Sequence, residues 1–270
     1  MKIYNLTNTI SNYNKNLDYT LDKNLAEIII VGGKKINLKE FPNLKGVFKT
    51  GVGTDNLPFE EARKRNIIIE LPSNKTKEII YNETAIFTLH QIFSLFYIST
   101  GNFKNWKKKK RKSLKSTNLL IIGLGNIGRK VFNLTSSIFN VDTFDILTNS
   151  MDELDDKLKL SHFITLHLPL NEQTYHFMDK NKLSKLKNNC CLINTSRGHI
   201  IDEYALYKEL ESKRIYAALD VFSEEPYNGI LNSIKDNLIK TPHIASSCIN
   251  FYDGLANDFK EFYKNLNESY

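Results

Sequence analysis

Two groups of residues in this chain have types and spacings that could do chemistry. The first is Gly123, Gly125 and Gly128, a G-x-G-x-x-G run that closes the apolar segment Leu119–Ile122 and is followed by a helical pattern. An apolar run closed by glycines reads as a buried parallel strand turning sharply into a helix. Gly123 permits the tight turn, Gly125 lets a pyrophosphate approach the backbone, and Gly128 lets the helix pack close to the sheet. Phosphates then rest on the free N–H groups of the helix start, at Asn126 and Ile127. The second group is spread over three later segments: Asn194-Thr-Ser-Arg-Gly-His199, Leu219-Asp-Val-Phe-Ser-Glu-Glu-Pro226 and Lys240-Thr-Pro-His-Ile-Ala245. They offer an arginine, several carboxylates and a histidine.

A glycine-rich turn can also be a plain connection, so its context decides. An acidic residue about 20 positions on, at the end of the next strand, would bind a ribose diol. Asp145 stands 22 positions after Gly123. A carboxylate there repels a 2′-phosphate and so favours NAD over NADP. Arg129 and Lys130 lie on the first turns of the helix rather than beside Asp145, and are not read as 2′-phosphate ligands.

The three later segments each follow an expected strand, which puts them at the carboxyl edge of a sheet, where open α/β folds bind ligands. Beside a dinucleotide, they match what hydride transfer to a 2-keto acid requires. A cation holds the substrate carboxylate and polarises the carbonyl. A proton donor meets the nascent alkoxide, and a carboxylate beside that donor orients its imidazole. Glu224 and Glu225 both compete for the last role.

These groups need a frame of alternating strands and helices. Residues 1 to 90 predict a smaller α/β unit: strands at the N-terminus, at Ala26–Gly32, at Leu44–Lys49 and at Ile67–Leu71, a short helix from Phe59 to Asn66, and a long helix from Lys77 to Ser99. Ile79, Ile80, Ala85, Ile86, Leu89, Phe93 and Phe96 recur along the long helix at helical spacing and predict its packing face. A second unit predicts strands at Leu119–Ile122, Val141–Phe144, Phe163–Leu168, Cys191–Asn194, Ala217–Val221 and Leu238–Thr241. Strand–helix alternation of this kind implies a doubly wound parallel sheet. An amphipathic tail helix, Asn250 to Asn267, is expected to return to the first unit. The fold class is α/β: two Rossmann-like domains with a cleft between them. One domain is a flavodoxin-like substrate domain (1–90 with 250–270) and the other a dinucleotide-binding domain (91–249).

Composition narrows the class further. No uncharged apolar run approaches the ~18 residues of a membrane span. Three cysteines, Cys190, Cys191 and Cys248, form neither a metal spacing nor a disulfide framework, which predicts a cytoplasmic setting. His162 and His167 are not spaced as a metal pair, and no metal is expected. The net charge of +7 is concentrated in Lys104, Lys107–Lys110, Arg111, Lys112 and Lys115; removing those eight cations leaves −1. Basicity confined to one segment reads as a solvated loop, so nucleic acid is not an expected partner; the open alternatives are a polyanion patch or a field that draws in an anionic substrate.

Taken in order, Pro42-Asn-Leu-Lys-Gly-Val, Gly51-Val-Gly-Thr-Asp-Asn, Gly123-Leu-Gly-Asn-Ile-Gly, His167-Leu-Pro-Leu, Asn194-Thr-Ser-Arg-Gly, Asp220-Val-Phe-Ser-Glu-Glu-Pro and Thr241-Pro-His-Ile-Ala resemble the D-isomer-specific 2-hydroxyacid dehydrogenases over nearly the whole chain. The resemblance implies an NAD-dependent oxidoreductase acting on a small 2-hydroxy or 2-keto acid. It makes Arg197 the substrate-binding cation, His243 the general acid or base, and Glu225, next to Pro226, its partner. It sets Asp220 at the nicotinamide carboxamide, Thr195 near the nicotinamide, and Leu168 and Pro169 on the adenine or ribose side. Backbone N–H groups of Val52 and Gly53 would bind the substrate carboxylate, with Lys49 as an added charge contact. A homodimer is implied by the family alone. The competing class is a non-enzymatic NAD-binding regulator of the corepressor type. The chain is shorter than is usual for the family, Pro58 replaces an aspartate of the substrate loop, a glycine is missing ahead of Ala217, and Cys248 stands where threonine is common. These departures bear on substrate identity more than on reaction type.

Overall fold

The computed structural model describes residues 1–14, 16–98 and 101–269. In chain order the first elements are β1 (Ile3–Asn5), β2 (Ile28–Val31), β3 (Gly46–Lys49), α1 (Phe59–Lys64), β4 (Ile68–Glu70) and α2 (Asn74–Phe96). A short antiparallel hairpin, β5 (Gly101–Asn102) and β6 (Lys107–Lys108), leads to β7 (Asn118–Ile122), α3 (Asn126–Thr135), β8 (Asn140–Phe144), α4 (Met151–Leu160) and β9 (Phe163–Leu166). Then come α5 (Lys180–Lys185), β10 (Cys191–Asn194), α6 (Glu203–Glu211), β11 (Tyr216–Leu219), β12 (Leu238–Lys240) and α7 (Ile249–Ser269). The chain divides into two units, Met1–Ile80 with Ser246–Tyr270, and Tyr81–Ala245. The first division falls inside α2, ten residues before the expected boundary, because a continuous helix gives no sequence signal where it leaves one core for the next.

Unit 1 holds a parallel sheet in the order β1-β2-β3-β4. A single parallel bridge, Ile3 to Tyr19, stands on the outer side of β1. Counting that bridge as a vestigial strand gives the 2-1-3-4-5 order of flavodoxin-like folds. Alternation of side chains across β2 sends Ile28 and Ile30 to one face and Ile29 and Val31 to the other. The first face packs under α7 through Phe251, Leu255, Phe259, Phe262 and Leu266, which are spaced at helical intervals. The second packs against Leu38, Phe41, Leu57 and Ala62.

Unit 2 holds a six-stranded parallel sheet in the order β12-β11-β10-β9-β7-β8. Its inner strands β7, β9, β10 and β11 are apolar on both faces because helices cover both. Leu120, Ile122, Ile164 and Leu166 face α4, α5 and α6, through Leu154, Leu158, Leu183, Leu206 and Leu210. Leu119, Ile121 and Ile193 face α2 and α3, through Ala85, Ile92, Leu95 and Val131. The expected stripe of α2 is its packing face: Ile80 and Ala85 are buried, Ile79, Leu89, Phe93 and Phe96 pack against the cores, and Ile92 and Leu95 join them, whereas Ile86 is 52% exposed. The expected end of α2 at Ser99 lies outside the described residues. The cations of the Lys-rich segment are exposed along its length, as in a solvated loop; Lys107 and Lys108 of it pair in the short β5–β6 hairpin, with Phe103 and Trp106 exposed at its turn.

The register of unit 2 decides where the site lies. Ile122, Phe144, Leu166, Asn194, Leu219 and Lys240 are paired in one continuous row across the sheet. Gly123, Asp145, His167, Thr195, Asp220 and Thr241 therefore leave the sheet side by side at its carboxyl edge. The chain order reverses between β7 and β9, and such a switch point opens a crevice for a ligand.

Candidate active site

The glycine turn follows β7. Gly123 has φ of +95°, and a Cβ there would come within 2.7 Å of the His167 carbonyl oxygen. A Cβ on Gly128 would overlap the Gly123 carbonyl oxygen, so these two glycines make the tight contact between turn and helix. Gly125 is exposed and a Cβ on it would meet nothing within 4 Å. It caps the ten-residue helix α3 without any side-chain cap bond. The first N–H groups of that helix, at Asn126, Ile127 and Gly128, have no intrahelical partner. A cradle of backbone donors at a helix N-terminus is what a dinucleotide pyrophosphate fits.

Asp145 sits beside that turn. Its Oδ2 accepts from the Leu124 N–H at 2.8 Å and its Oδ1 from the Leu147 N–H at 3.0 Å. A carboxylate has about four acceptor sites, so these two bonds fix its direction and leave it able to accept from a diol. Arg129 is turned back on the same loop, its Nε donating to the Leu124 carbonyl at 2.7 Å. On the neighbouring loop, Pro169 is exposed, but Leu168 is 3% exposed and packs into the core beneath the glycines. His167 lies behind the turn, and burial drives its imidazole down to about 3, which keeps it neutral.

The loops after β10, β11 and β12 meet at the other half of the edge. His243 has φ of +54°, and its Nδ1 is 2.8 Å from Glu225 Oε2. Glu225 Oε1 accepts from the Phe222 N–H at 3.1 Å. Burial pushes the Glu225 carboxyl up, but the His243 hydrogen bond and charge, the Phe222 N–H and the Arg197 charge outweigh it, and the net direction is down. The carboxylate form is thus favoured where it faces the imidazole. Glu225, and not Glu224, is the partner of the histidine. Arg197 belongs to the same cluster through its charge on Glu225, and its Nη1 donates to the Ser196 carbonyl at 2.7 Å. The Arg197 turn is pressed against the Glu225 loop: a Cβ on Gly198 would overlap the Phe222 carbonyl.

Asp220 plays a part that the sequence did not disclose. It is 1% exposed, and its Oδ1 accepts from Thr241 Oγ1 at 2.6 Å and the Ile244 N–H at 2.9 Å, while Oδ2 accepts from the Ala245 N–H at 2.9 Å. The His243 N–H donates to the Asp220 carbonyl at 2.9 Å. Asp220 is therefore the post on which the His243 turn is built. Burial raises its carboxyl, and the Thr241 hydroxyl and the two amides pull against that rise.

Thr195 is buried and its Oγ1 lies 2.9 Å from Thr88 Oγ1 on α2. Thr88 donates to the Thr84 carbonyl, so Thr195 is the donor of the pair and its hydroxyl is turned toward the helix. Within unit 1, Lys49 is 3% exposed and its Nζ donates to the Gly32 carbonyl at 2.5 Å and to Asn56 Oδ1 at 2.7 Å. That anchors the turn carrying Val52 and Gly53, both partly exposed. Among the described residues no cluster of three or more His, Cys, Asp or Glu could hold a metal, and no helix is long and apolar enough to cross a membrane.

Residues 84–245, nearly the whole of unit 2, match the NAD binding domain of the D-isomer specific 2-hydroxyacid dehydrogenases. A hydroxypyruvate reductase of Thermotoga maritima is 33% identical over 76% of this chain and 72% of its own length. The chain belongs to the D-isomer specific 2-hydroxyacid dehydrogenase family. NAD is its cofactor, and it is an oxidoreductase. A glyoxylate reductase of Thermococcus litoralis is 32% identical over 81% of this chain and 72% of its own length. A D-3-phosphoglycerate dehydrogenase of Methanocaldococcus jannaschii is 31% identical over 82% of this chain but only 46% of its own length. The fold is shared with a D-lactate dehydrogenase from Aquifex aeolicus crystallised with NAD and lactic acid, at a TM-score of 0.83 and 22% identity, covering 100% of this chain and 96% of that one.

Proposed function

We propose that this dehydrogenase reduces a short 2-keto acid of the hydroxypyruvate or glyoxylate kind, with Arg197, Glu225 and His243 as its working residues. The observation that carries the reading is the 2.8 Å contact between His243 Nδ1 and Glu225 Oε2 in a cluster that Arg197 joins, on the same sheet edge as the glycine turn. Relatives with the printed names hydroxypyruvate reductase and glyoxylate reductase support the substrate class.

NADH, when bound along Gly123–Gly128, supplies the hydride. The rest is done by the side chains. Arg197 pairs with the substrate carboxylate and draws charge onto the keto oxygen. Because Nδ1 of His243 is held by Glu225, Nε2 is the nitrogen that faces substrate, and its proton passes to the oxygen as the carbon accepts hydride. Glu225 stabilises the imidazolium before that transfer and fixes the ring plane. Asp145 is the proposed partner of the ribose diol, and the Val52–Gly53 backbone a second anchor for the carboxylate. Homodimerisation and a cytoplasmic setting complete the reading; exposed Tyr97, Phe103 and Trp106 and three unpaired cysteines support them, and light scattering of purified protein reports the oligomeric state.

The test is NADH oxidation with glyoxylate, hydroxypyruvate, phosphohydroxypyruvate and pyruvate in turn. Turnover with one of the first two is the expected result. NADH binding with no turnover on any of the four overturns the proposal.

A further inference from the structure

The tip of the loop that carries Glu225 is exposed at Glu224, Glu225 and Pro226, while Phe222 and Tyr227 at its feet pack against the core of unit 2. Beside that packing, hydrogen bonds on either side of Glu225 both end on one carboxylate. Glu203 Oε2 accepts from Ser223 Oγ at 2.7 Å, and Glu203 Oε1 accepts from Tyr227 Oη at 2.8 Å. Tyr227 in turn accepts from the Leu231 N–H at 3.0 Å, and its ring stacks on Phe222 with centroids 4.4 Å apart. Ser223 and Tyr227 bracket Glu225 in sequence, so the carboxylate clamps both feet of the loop.

Glu203 stands on a firm base. It is the first residue of α6, whose N-cap Asp202 side chain accepts from the Ala205 N–H, and Leu206 and Leu210 bury the helix in the core. The same helix follows the Arg197 turn after a single 3-10 turn, Gly198–Ile200. One carboxylate thus ties the Glu225 loop to the element that also sets Arg197.

We propose that Glu203 is a positioning residue: through Ser223 and Tyr227 it sets the Glu225 carboxylate against His243 while touching neither substrate nor cofactor. This rests on the roles given above to Glu225 and His243. Removing Glu203 frees the loop, and Glu225 then spends only part of its time within hydrogen-bond reach of the imidazole. A misplacement of about 1 Å can lower turnover by up to about 100-fold.

The experiment uses the full-length protein with NADH and the best keto acid found above. Glu203→Ala, Glu203→Gln, Ser223→Ala and Tyr227→Phe are compared with Glu225→Gln and His243→Ala. For Glu203→Ala the expected result is a kcat roughly 10- to 100-fold lower, with KM and NADH affinity near those of the parent. The acid limb of its kcat–pH profile is also expected to move up toward ordinary carboxylate values, because Glu225 loses the contacts that hold its carboxyl down. Glu203→Gln, which keeps one acceptor oxygen, falls between, and Ser223→Ala and Tyr227→Phe each give part of the effect. A parental kcat and an unmoved acid limb in Glu203→Ala, with Glu225→Gln and His243→Ala inactive, overturn the positioning role alone. Full activity in Glu225→Gln and His243→Ala overturns the reading beneath it instead. Should Glu203→Ala lose NADH binding through misfolding, Ser223→Ala combined with Tyr227→Phe reads the same limb, and a parental limb there overturns the proposal.

Discussion

The two ends of the unit 2 sheet edge are built on opposite plans. At β7 and β8 the site is backbone: three glycines, the open N–H groups of α3 and one carboxylate that steadies them. At β10, β11 and β12 it is side chain: Arg197, Glu225 and His243 from three segments, held by Asp220 and Gly198 within those segments and by Glu203 outside them. A pyrophosphate can be recognised by peptide donors, which every residue but proline carries, so local chain geometry is enough. Proton transfer needs a group that titrates and a partner that orients it, and those must be assembled from segments apart in sequence.

The comparison is broken most directly at the side-chain end. His243→Ala should lower kcat about 10²- to 10⁴-fold, with NADH affinity unchanged in fluorescence titration; an equal loss of both would show that the two ends are not separable. Gly198→Ala forces a methyl group into the Phe222 carbonyl and should part the Arg197 and Glu225 loops. Overpacking of this kind costs about 1–3 kcal/mol, seen as a lowered urea midpoint, and kcat should fall with it. Asp220→Ala strands the donors of Thr241, Ile244 and Ala245. A loss of about 1–3 kcal/mol is expected, together with reduced kcat because the His243 turn loses its post; a stable, fully active variant would deny that role.

The backbone end answers differently. Asp145→Ala should leave kcat with NADH near that of the parent and shift the preference toward NADPH roughly tenfold or more, since it removes a charge-assisted hydrogen bond to the diol, worth about 1.5–3 kcal/mol, and the charge that repels a 2′-phosphate. An unchanged NADH-to-NADPH ratio would remove Asp145 from the ribose site. The smallest effect is in pH. Glu225 is held below its ordinary value in the folded protein, so its contribution to stability is complete above the ordinary carboxylate range and is lost as pH falls through the lowered folded value. Glu225→Gln should flatten that part of the stability–pH curve in denaturation experiments.

How much of this was legible in the sequence follows the same division. The glycine turn and Asp145 were read from local spacing, because a turn and the next strand end are set by residues close in the chain. Arg197, Glu225 and His243 came from the motifs, but the choice of Glu225 over Glu224 on physical grounds required the 2.8 Å contact to His243. Glu203 and Tyr227 were missed altogether. An acidic residue in the first turn of a helix is ordinary, and nothing at position 203 points to a loop 20 residues on. Asp220 was assigned to the cofactor, Thr195 was set near the nicotinamide with its hydroxyl direction unread, and Lys49 was read as a charge contact. The structure turns Asp220 inward to the His243 turn, Thr195 to α2 and Lys49 to Gly32 and Asn56.

By itself the sequence determined the alternation of strands and helices, the parallel sheets that follow from it, the dinucleotide turn and the inventory of chemical groups. Those depend on periodicity and on φ, which act over a few residues. Tertiary structure alone decided where one unit gives way to the other and which polar side chains hold the loops. A buried polar group must find a partner, and the partner is chosen by which loops the sheet register brings side by side. The row from Ile122 to Lys240 makes that choice here, and no single stretch of the chain contains it.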